Sequence, residues 1–398
     1  MSARIVCGDV RKVAAKLEAE SFDAVLCDPP YGLKFMGKTW DHGVPSADTW
    51  RDVFRVLKPG AMLLAFGGTR THHRLMCAIE DAGFEIRDCL MFLHGQGFPK
   101  SLDIGKALDR QAGVKREPVG RKPGERYKYE FKSDFNPEQL HSRLGSGDAG
   151  ALTAPVTDAA RTWDGYGTAL KPAWEPVILA MKPLDGTYAG NALKHGVAGL
   201  NIAAGRIGTD HRMNPPGEGG KANTYGRMDR IPGRFTKALG RWPANLLLSE
   251  EAARLLDEQT GDLKGPGNKN PTACGNGKNV VYNKGGMTMP ASCFNFGDSG
   301  GASRFFYCAK ASRKERGAGN HHPTVKPLKL TEYLAKLILP PLRDTPRRLL
   351  VPFCGSGSEM IGAINAGWDE VTGIELNPEY VKLARARLRP ARQKAKAA

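Results

Sequence analysis

Residues 22–31, Phe22-Asp23-Ala24-Val25-Leu26-Cys27-Asp28-Pro29-Pro30-Tyr31, run from an apolar stretch straight into a rigid polar turn. The first six read as a buried β-strand, and the turn therefore lies at the strand's carboxyl end, where open α/β sheets place their ligands. Two prolines fix the backbone so that a carboxylate and a carbonyl can point together at one amino group. Tyr31 adds a flat face on which a planar ring can stack. An Asp-Pro-Pro-Tyr tetrapeptide arises by chance in a chain of this length with odds on the order of 10⁻³.

Working outward, the first ninety residues alternate strand and helix patterns. Strands are expected at 4–7, 22–27, 61–66 and 84–93, with helices at 10–20, 47–57 and 70–82. The pattern resumes near the C-terminus, with a helix at 328–339 stopped by Pro340-Pro341 and a strand at 348–351. A helix at 358–366, a strand at 370–375 and a final helix from Pro378 complete it. Strands separated by helices imply crossovers and a mostly parallel sheet, a doubly wound α/β architecture. Neither piece is a full sheet alone, so the two are expected to form one sheet together.

Between them the chain is rich in Gly, Pro, Asn and basic residues, with apolar islands at 175–181, 242–248 and 305–308. The expected organisation is 1–94 as an N-terminal half-domain, 95–320 as a loop-rich insert and 321–398 as a C-terminal half-domain. Of the 398 residues, 48 are Gly and 27 Pro, a share that excludes a helical bundle. No apolar run approaches the ~20 residues of a membrane helix, and the start has no signal-peptide core, so a cytoplasmic protein is expected. Eight cysteines without a Cys-x-x-Cys pair argue for reduced thiols and against a zinc site.

The net charge of +17 is localised. Residues 1–94 hold 12 basic and 12 acidic side chains, 95–320 hold 33 against 22, and 321–398 hold 13 against 7. A basic excess confined to the later chain suits a polyanion such as nucleic acid.

A second motif lies at 353–358, Phe353-Cys354-Gly355-Ser356-Gly357-Ser358, after a strand and opening a helix. Glycines there let the backbone approach a nucleotide-like ligand, and the helix N-terminus favours polar groups. Glu375 ends the next strand, where a carboxylate can bond both hydroxyls of a ribose.

With both motifs read, the sequence resembles the amino-methylating DNA methyltransferases of the β class. The resemblance covers both αβ pieces and their order: Gly8-Asp9, then Asp28-Pro29-Pro30-Tyr31, then the insert, then Asn320 to Pro327, then the glycine motif and Glu375. Such a circularly permuted order, catalytic motif before cofactor motif, defines that class. Stretches at 168–176 and 303–311 look like its phage and prophage branch. The resemblance implies a Rossmann-like methyltransferase fold with a target-recognition insert. It also implies transfer of a methyl group from S-adenosylmethionine, leaving S-adenosylhomocysteine, to N6 of an adenine flipped out of double-stranded DNA, with no metal.

By the same resemblance Asp28 and the Pro29 carbonyl accept hydrogen bonds from the target amine, Pro30 holds the turn, and Tyr31 stacks on the base. Phe353, Gly355, Ser356, Gly357, Ser358 and Glu375 hold the cofactor, with Gly8-Asp9 and Asp28 beside it. Asp9 lies near its adenine, and Thr324 and Lys326 near its methionine end. A homodimer in a bacterial or phage-derived setting is implied as well. N4-cytosine methylation is the alternative, since the two amines present the same chemistry, and a DNA-binding regulator that has lost catalysis is a further one. Carbon-5 methylation is disfavoured, because no Pro-Cys nucleophile stands in a catalytic setting. The family usually has Asp-Pro-Phe where this chain has Val351-Pro352-Phe353, so weakened S-adenosylmethionine binding is expected.

Overall fold

A computed structural model describes residues 1–33, 43–95, 101–121, 151–214, 236–264, 299–309 and 325–397. The chain divides into two units, one made of Met1–Gln96 with Ala173–Ala398 and the other of Gly97–Pro172.

The larger unit is built on a nine-stranded sheet: β1 Ser2–Cys7, β2 Phe22–Cys27, β3 Leu57–Phe66, β4 Glu85–Leu93, β5 Trp174–Met181, β6 Leu246–Ser249, β7 Tyr307–Ala309, β8 Arg348–Pro352 and β9 Glu370–Glu375. Their spatial order is β1-β9-β8-β2-β3-β5-β4-β6-β7. Every pairing is parallel except the two made by β5, which runs against β3 and β4. The sheet is thus α/β, mostly parallel, and unites both ends of the chain.

Side chains alternate across the sheet with the two-residue strand period. Ala24 and Leu26 of β2, with Leu349 and Val351 of β8, join the core on one face. That core also takes in helices α4 Leu328–Leu337, α5 Ser358–Ala366 and α6 Pro378–Ala397. Val25, Cys27 and Leu350 join the opposite core, with Val10 of α1 Val10–Ala14 and residues of α2 Ala47–Val56 and α3 His72–Glu80. Both faces are covered, which is why β2 and β8 read as unbroken apolar runs.

Two elements differ from the sequence reading. The first helix ends at Ala14 and not near 20, because the Arg55 guanidinium takes the carbonyls of Ala14 and Leu17 at 2.7 and 2.6 Å and turns the chain toward β2. Strand β3 starts at Leu57, four residues early, through an irregular entry in which the register shifts between Phe22 and Ala24 and Gly60 adopts φ +77°. The apolar islands at 175–181, 242–248 and 305–308 correspond to β5, β6 and β7.

The smaller unit packs helix Ile104–Gln111 with helix Asp158–Thr162 beside an antiparallel ribbon of Pro118–Arg121 and Ala151–Thr153. Buried Asp109 organises it, accepting hydrogen bonds from the Thr157 amide and hydroxyl at 3.0 and 2.8 Å, from the Val156 amide and from Arg116. Among the described residues no helix is long and apolar enough to cross a membrane.

Candidate functional site

The strand order reverses between β8 and β2. From β8 the chain moves through α5 to β9 on one side, and from β2 through α2 to β3 on the other. Such a switch point opens a crevice at the carboxyl ends of its two strands. Here those ends carry the Asp28 turn and the glycine loop, side by side although more than 320 residues apart in sequence.

On the β2 side, Asp28, Tyr31 and Lys326 form a bonded cluster. The Tyr31 hydroxyl donates to Asp28 Oδ1 at 2.7 Å, and Lys326 Nζ donates to the Tyr31 oxygen at 2.8 Å and lies 3.3 Å from Asp28 Oδ1. Lys326 also donates to both oxygens of Glu175 at 3.2 Å, and its ammonium stands 4.7 Å from the centre of the Phe66 ring. Pro29 is buried and Pro30 half-buried, so the turn is wedged at the strand exit. Tyr31 rests against Gly68, just past the end of β3, where an added Cβ would lie 3.2 Å from its ring.

Burial raises the Asp28 carboxyl above its ordinary pKa; Lys326 opposes the rise and Glu175 adds to it. Burial alone would depress Lys326, but Asp28 and Glu175 outweigh it and hold the ammonium firmly charged. Tyr31 is pushed well up by burial and then by Asp28, so its phenol stays a donor.

On the β8 side, φ is positive at Phe353, Gly355 and Gly357 (+59°, +48° and +81°), which curls the backbone into a tight bowl. Phe353 is the strained member, since only glycine takes that conformation freely. Its ring meets Trp50 edge-on at 6.3 Å. The Gly355 amide donates to Glu375 Oε2 at 2.8 Å and the Asn377 amide to Oε1 at 2.8 Å. Burial raises the Glu375 pKa, with these amides pulling the other way. Gly8 joins the same corner, its amide donating to the Glu375 carbonyl at 2.9 Å.

Asp9 caps α1, accepting from the amides of Arg11 and Lys12. Ser356 and Ser358 are buried and held from α6 by Arg387, which donates to both hydroxyls and to the Ser356 carbonyl. Thr324, with the rest of 320–324, lies outside the described residues. Val351 has no exposed surface and packs in the core with Leu349, Cys354 and Met360.

Two acidic residues of the site carry no role in the sequence reading. Glu175 lies in β5, at the start of the apolar island 175–181; an acid in an otherwise apolar strand is the signal that marks it. Glu359 directly follows the glycine motif and is only 4% exposed. Burial and then Asp28 push its carboxyl up to about 7. A buried carboxylate at the end of β9, a tightly curled glycine loop beside it and the acids near the β2 turn together fit a nucleoside joined to a positively charged group.

No family model matches the chain. Over 98 residues, 23% of this chain, it is 32% identical to "Putative methylase YubD" of Escherichia coli (strain K12), and the match spans 42% of that protein, less than half its length. Among solved structures, the M1.HpyAVI-SAM complex aligns over 97% of this chain and 99% of its own with 13% identity and a TM-score of 0.38. The PvuII DNA methyltransferase (cytosine-N4-specific) aligns over 97% and 86% with 12% identity and a TM-score of 0.41. At these scores the two likenesses add nothing to the fold read from the strand order.

Proposed function

We propose that this chain is a DNA methyltransferase that moves a methyl group from S-adenosylmethionine to the N6 amino group of an adenine turned out of the duplex. The observation that carries the proposal is the meeting of the Asp28 turn and the Gly355 loop at the switch point of one sheet. The resemblance of the motif order and the basic insert support it, as does the E. coli relative, matched over less than half its length, whose name is "Putative methylase YubD".

In this reading Phe353, Gly355, Ser356 and Gly357 line the donor site, Glu375 takes its ribose hydroxyls, and Asp9 borders its adenine. When bound, S-adenosylmethionine supplies an electrophilic methyl on a sulfonium. Asp28 accepts an N–H hydrogen bond from the target amine in place of the one it takes from Tyr31, which directs the nitrogen lone pair toward the methyl. The Pro29 carbonyl accepts the second N–H. As the C–N bond forms, the amine must lose a proton, and a carboxylate whose burial already favours protonation is suited to take it. Lys326 keeps Asp28 ionised until then and holds Tyr31 at the edge of the site. Catalysis by this route is positioning and electrostatics, with no covalent intermediate. The basic residues of 95–320 contact the DNA phosphates in this reading.

The test is methyl transfer from labelled S-adenosylmethionine to mixed-sequence duplex DNA, followed by nucleoside digestion and mass spectrometry. N6-methyladenine is expected. N4-methylcytosine would keep the site and overturn the base, and DNA binding without transfer would leave the chain a regulator.

A further inference from the structure

Glu359 is the second residue of α5, in the first helical turn after the glycine loop. A glutamate there ordinarily reaches into solvent while complementing the helix dipole. This one is buried instead, and its surroundings are charged on several sides. Its carboxyl interacts with Asp28 and Lys326 from the β2 side and with Arg387 from α6. Its charge in turn raises the pKa values of Cys27 and Tyr31 on the β2 turn and of Cys354 in the loop. Glu359 therefore stands where the two halves of the site meet.

The charge balance there is uneven. Among the described residues, Asp28, Glu175 and Glu359 bring three carboxylates, whereas Lys326 is the ammonium among them, already bonded to Glu175 and within 3.3 Å of Asp28. Arg387 is bonded to the two serines of the loop. Burying an extra carboxylate in a low-dielectric pocket is costly unless a proton or a cation arrives with it. Meanwhile position 351, where the family resemblance leads one to expect an acid, holds a valine sealed in the core beside Met360, the residue after Glu359.

We infer that Glu359 is the carboxylate that receives the positive charge of the methyl donor, supplying from the helix the acid that the strand lacks. The inference rests on the donor reading proposed above and deepens it. The donor carries a sulfonium and an ammonium, and either cation compensates the third carboxylate. Binding then draws Glu359 into its ionised form. A proton that burial and Asp28 keep on the free protein near neutral pH is released as the donor binds.

The experiment is isothermal titration calorimetry of S-adenosylmethionine with the full chain and with Glu359→Gln, between pH 5.5 and 7.5, where the donor's own α-amine, of ordinary pKa about 7.7–8.0, stays mostly protonated. Two buffers of different ionisation enthalpy report the protons exchanged. The wild-type chain is expected to bind more tightly toward pH 7.5 and to release a proton on binding. Glu359→Gln is expected to bind about tenfold more weakly at pH 7.5, the loss of one charge-assisted contact, and to show no proton release. Repeating the titration with S-adenosylhomocysteine, which lacks the sulfonium, locates the contact. An equal loss for both ligands assigns Glu359 to the ammonium, and a loss confined to S-adenosylmethionine assigns it to the sulfonium. Binding by Glu359→Gln within twofold of wild type, with the same proton release, overturns the inference alone. Should the variant fail to fold, wild-type binding without proton exchange overturns it equally. No binding to the wild-type chain overturns the donor reading and this inference together.

Discussion

Asp28 is the residue on which the proposed chemistry depends most. Its Oδ1 already accepts from Tyr31 and faces Lys326, so replacing it removes the acceptor for the amine while Lys326 keeps its hydrogen bonds to Glu175. Asp28→Ala is expected to lower methyl transfer by about 10³-fold or more, while binding of S-adenosylmethionine and DNA changes little. Equal turnover in that variant would remove Asp28 from the mechanism. Glu359 makes a separate prediction about stability in the absence of ligand. Its carboxyl is raised from 4.5 to about 7 in the folded chain, so its contribution to stability is complete below about pH 4.5 and is lost as the pH rises through 7. Glu359→Gln, which cannot ionise, is expected to gain about 3 kcal/mol over wild type at pH 8 and less than about 1 kcal/mol at pH 5. Thermal melts at the two pH values check it, and an equal shift at both would show that the fold does not raise the carboxyl's pKa. Val351 behaves oppositely. An aspartate there would sit unpaired in the core, so Val351→Asp is expected to cost several kcal/mol of stability instead of tightening donor binding.

At the scale of elements, the crevice exists because β2 and β8 lie side by side. The entrance of β2 is secured by Asp23, whose fully buried carboxylate accepts from Lys58 at 2.7 Å, from Arg343 at 2.5 Å and from the Arg348 amide at 2.7 Å. Two of those donors precede or begin β8, so one acid ties together strands contributed by opposite ends of the chain. Asp23→Ala leaves two half-buried cations without this partner and is expected to cost about 3 kcal/mol in denaturant unfolding; a loss below 1 kcal/mol would mean that backbone pairing alone holds the two strands together. These strands were legible in the sequence because both of their faces are buried, giving unbroken apolar runs that end at polar turns. The direction of β5 was not legible. Glu175–Met181 has the same pattern whether it runs parallel or antiparallel, and only its pairing with β3 and β4 settles the matter. The end of α1 was hidden for a similar reason, since Arg55, forty residues away, terminates it. Glu175 and Glu359 stand out less in the sequence because a strand and a helix carry them, whereas the motif residues lie in turns.

For the molecule as a whole, the chain leaves the sheet after β4 and returns to it at β5 almost where it left. Leu93 pairs with Trp174, and the His94 amide donates to the Ala173 carbonyl at 2.9 Å. The 76 residues from Gly97 to Pro172 form their own unit, and its internal order depends on Asp109, a residue of that unit. A segment whose ends are adjacent can be removed without stretching what remains, because closing a short loop costs little. Replacing 97–172 by a few Gly and Ser residues is therefore expected to leave the nine-stranded sheet folded, with a melting temperature within a few degrees of the full chain and unchanged binding of S-adenosylmethionine. The segment also holds part of the basic excess of 95–320, so the same deletion is expected to weaken binding to duplex DNA and to flatten the dependence of that binding on salt. Circular dichroism, donor titration and DNA titrations at several salt concentrations read the three outcomes separately. Collapse of the sheet would show that the segment belongs to its core. An unaltered salt slope would instead assign the phosphate contacts to residues outside 97–172, where most of the chain's positive excess lies.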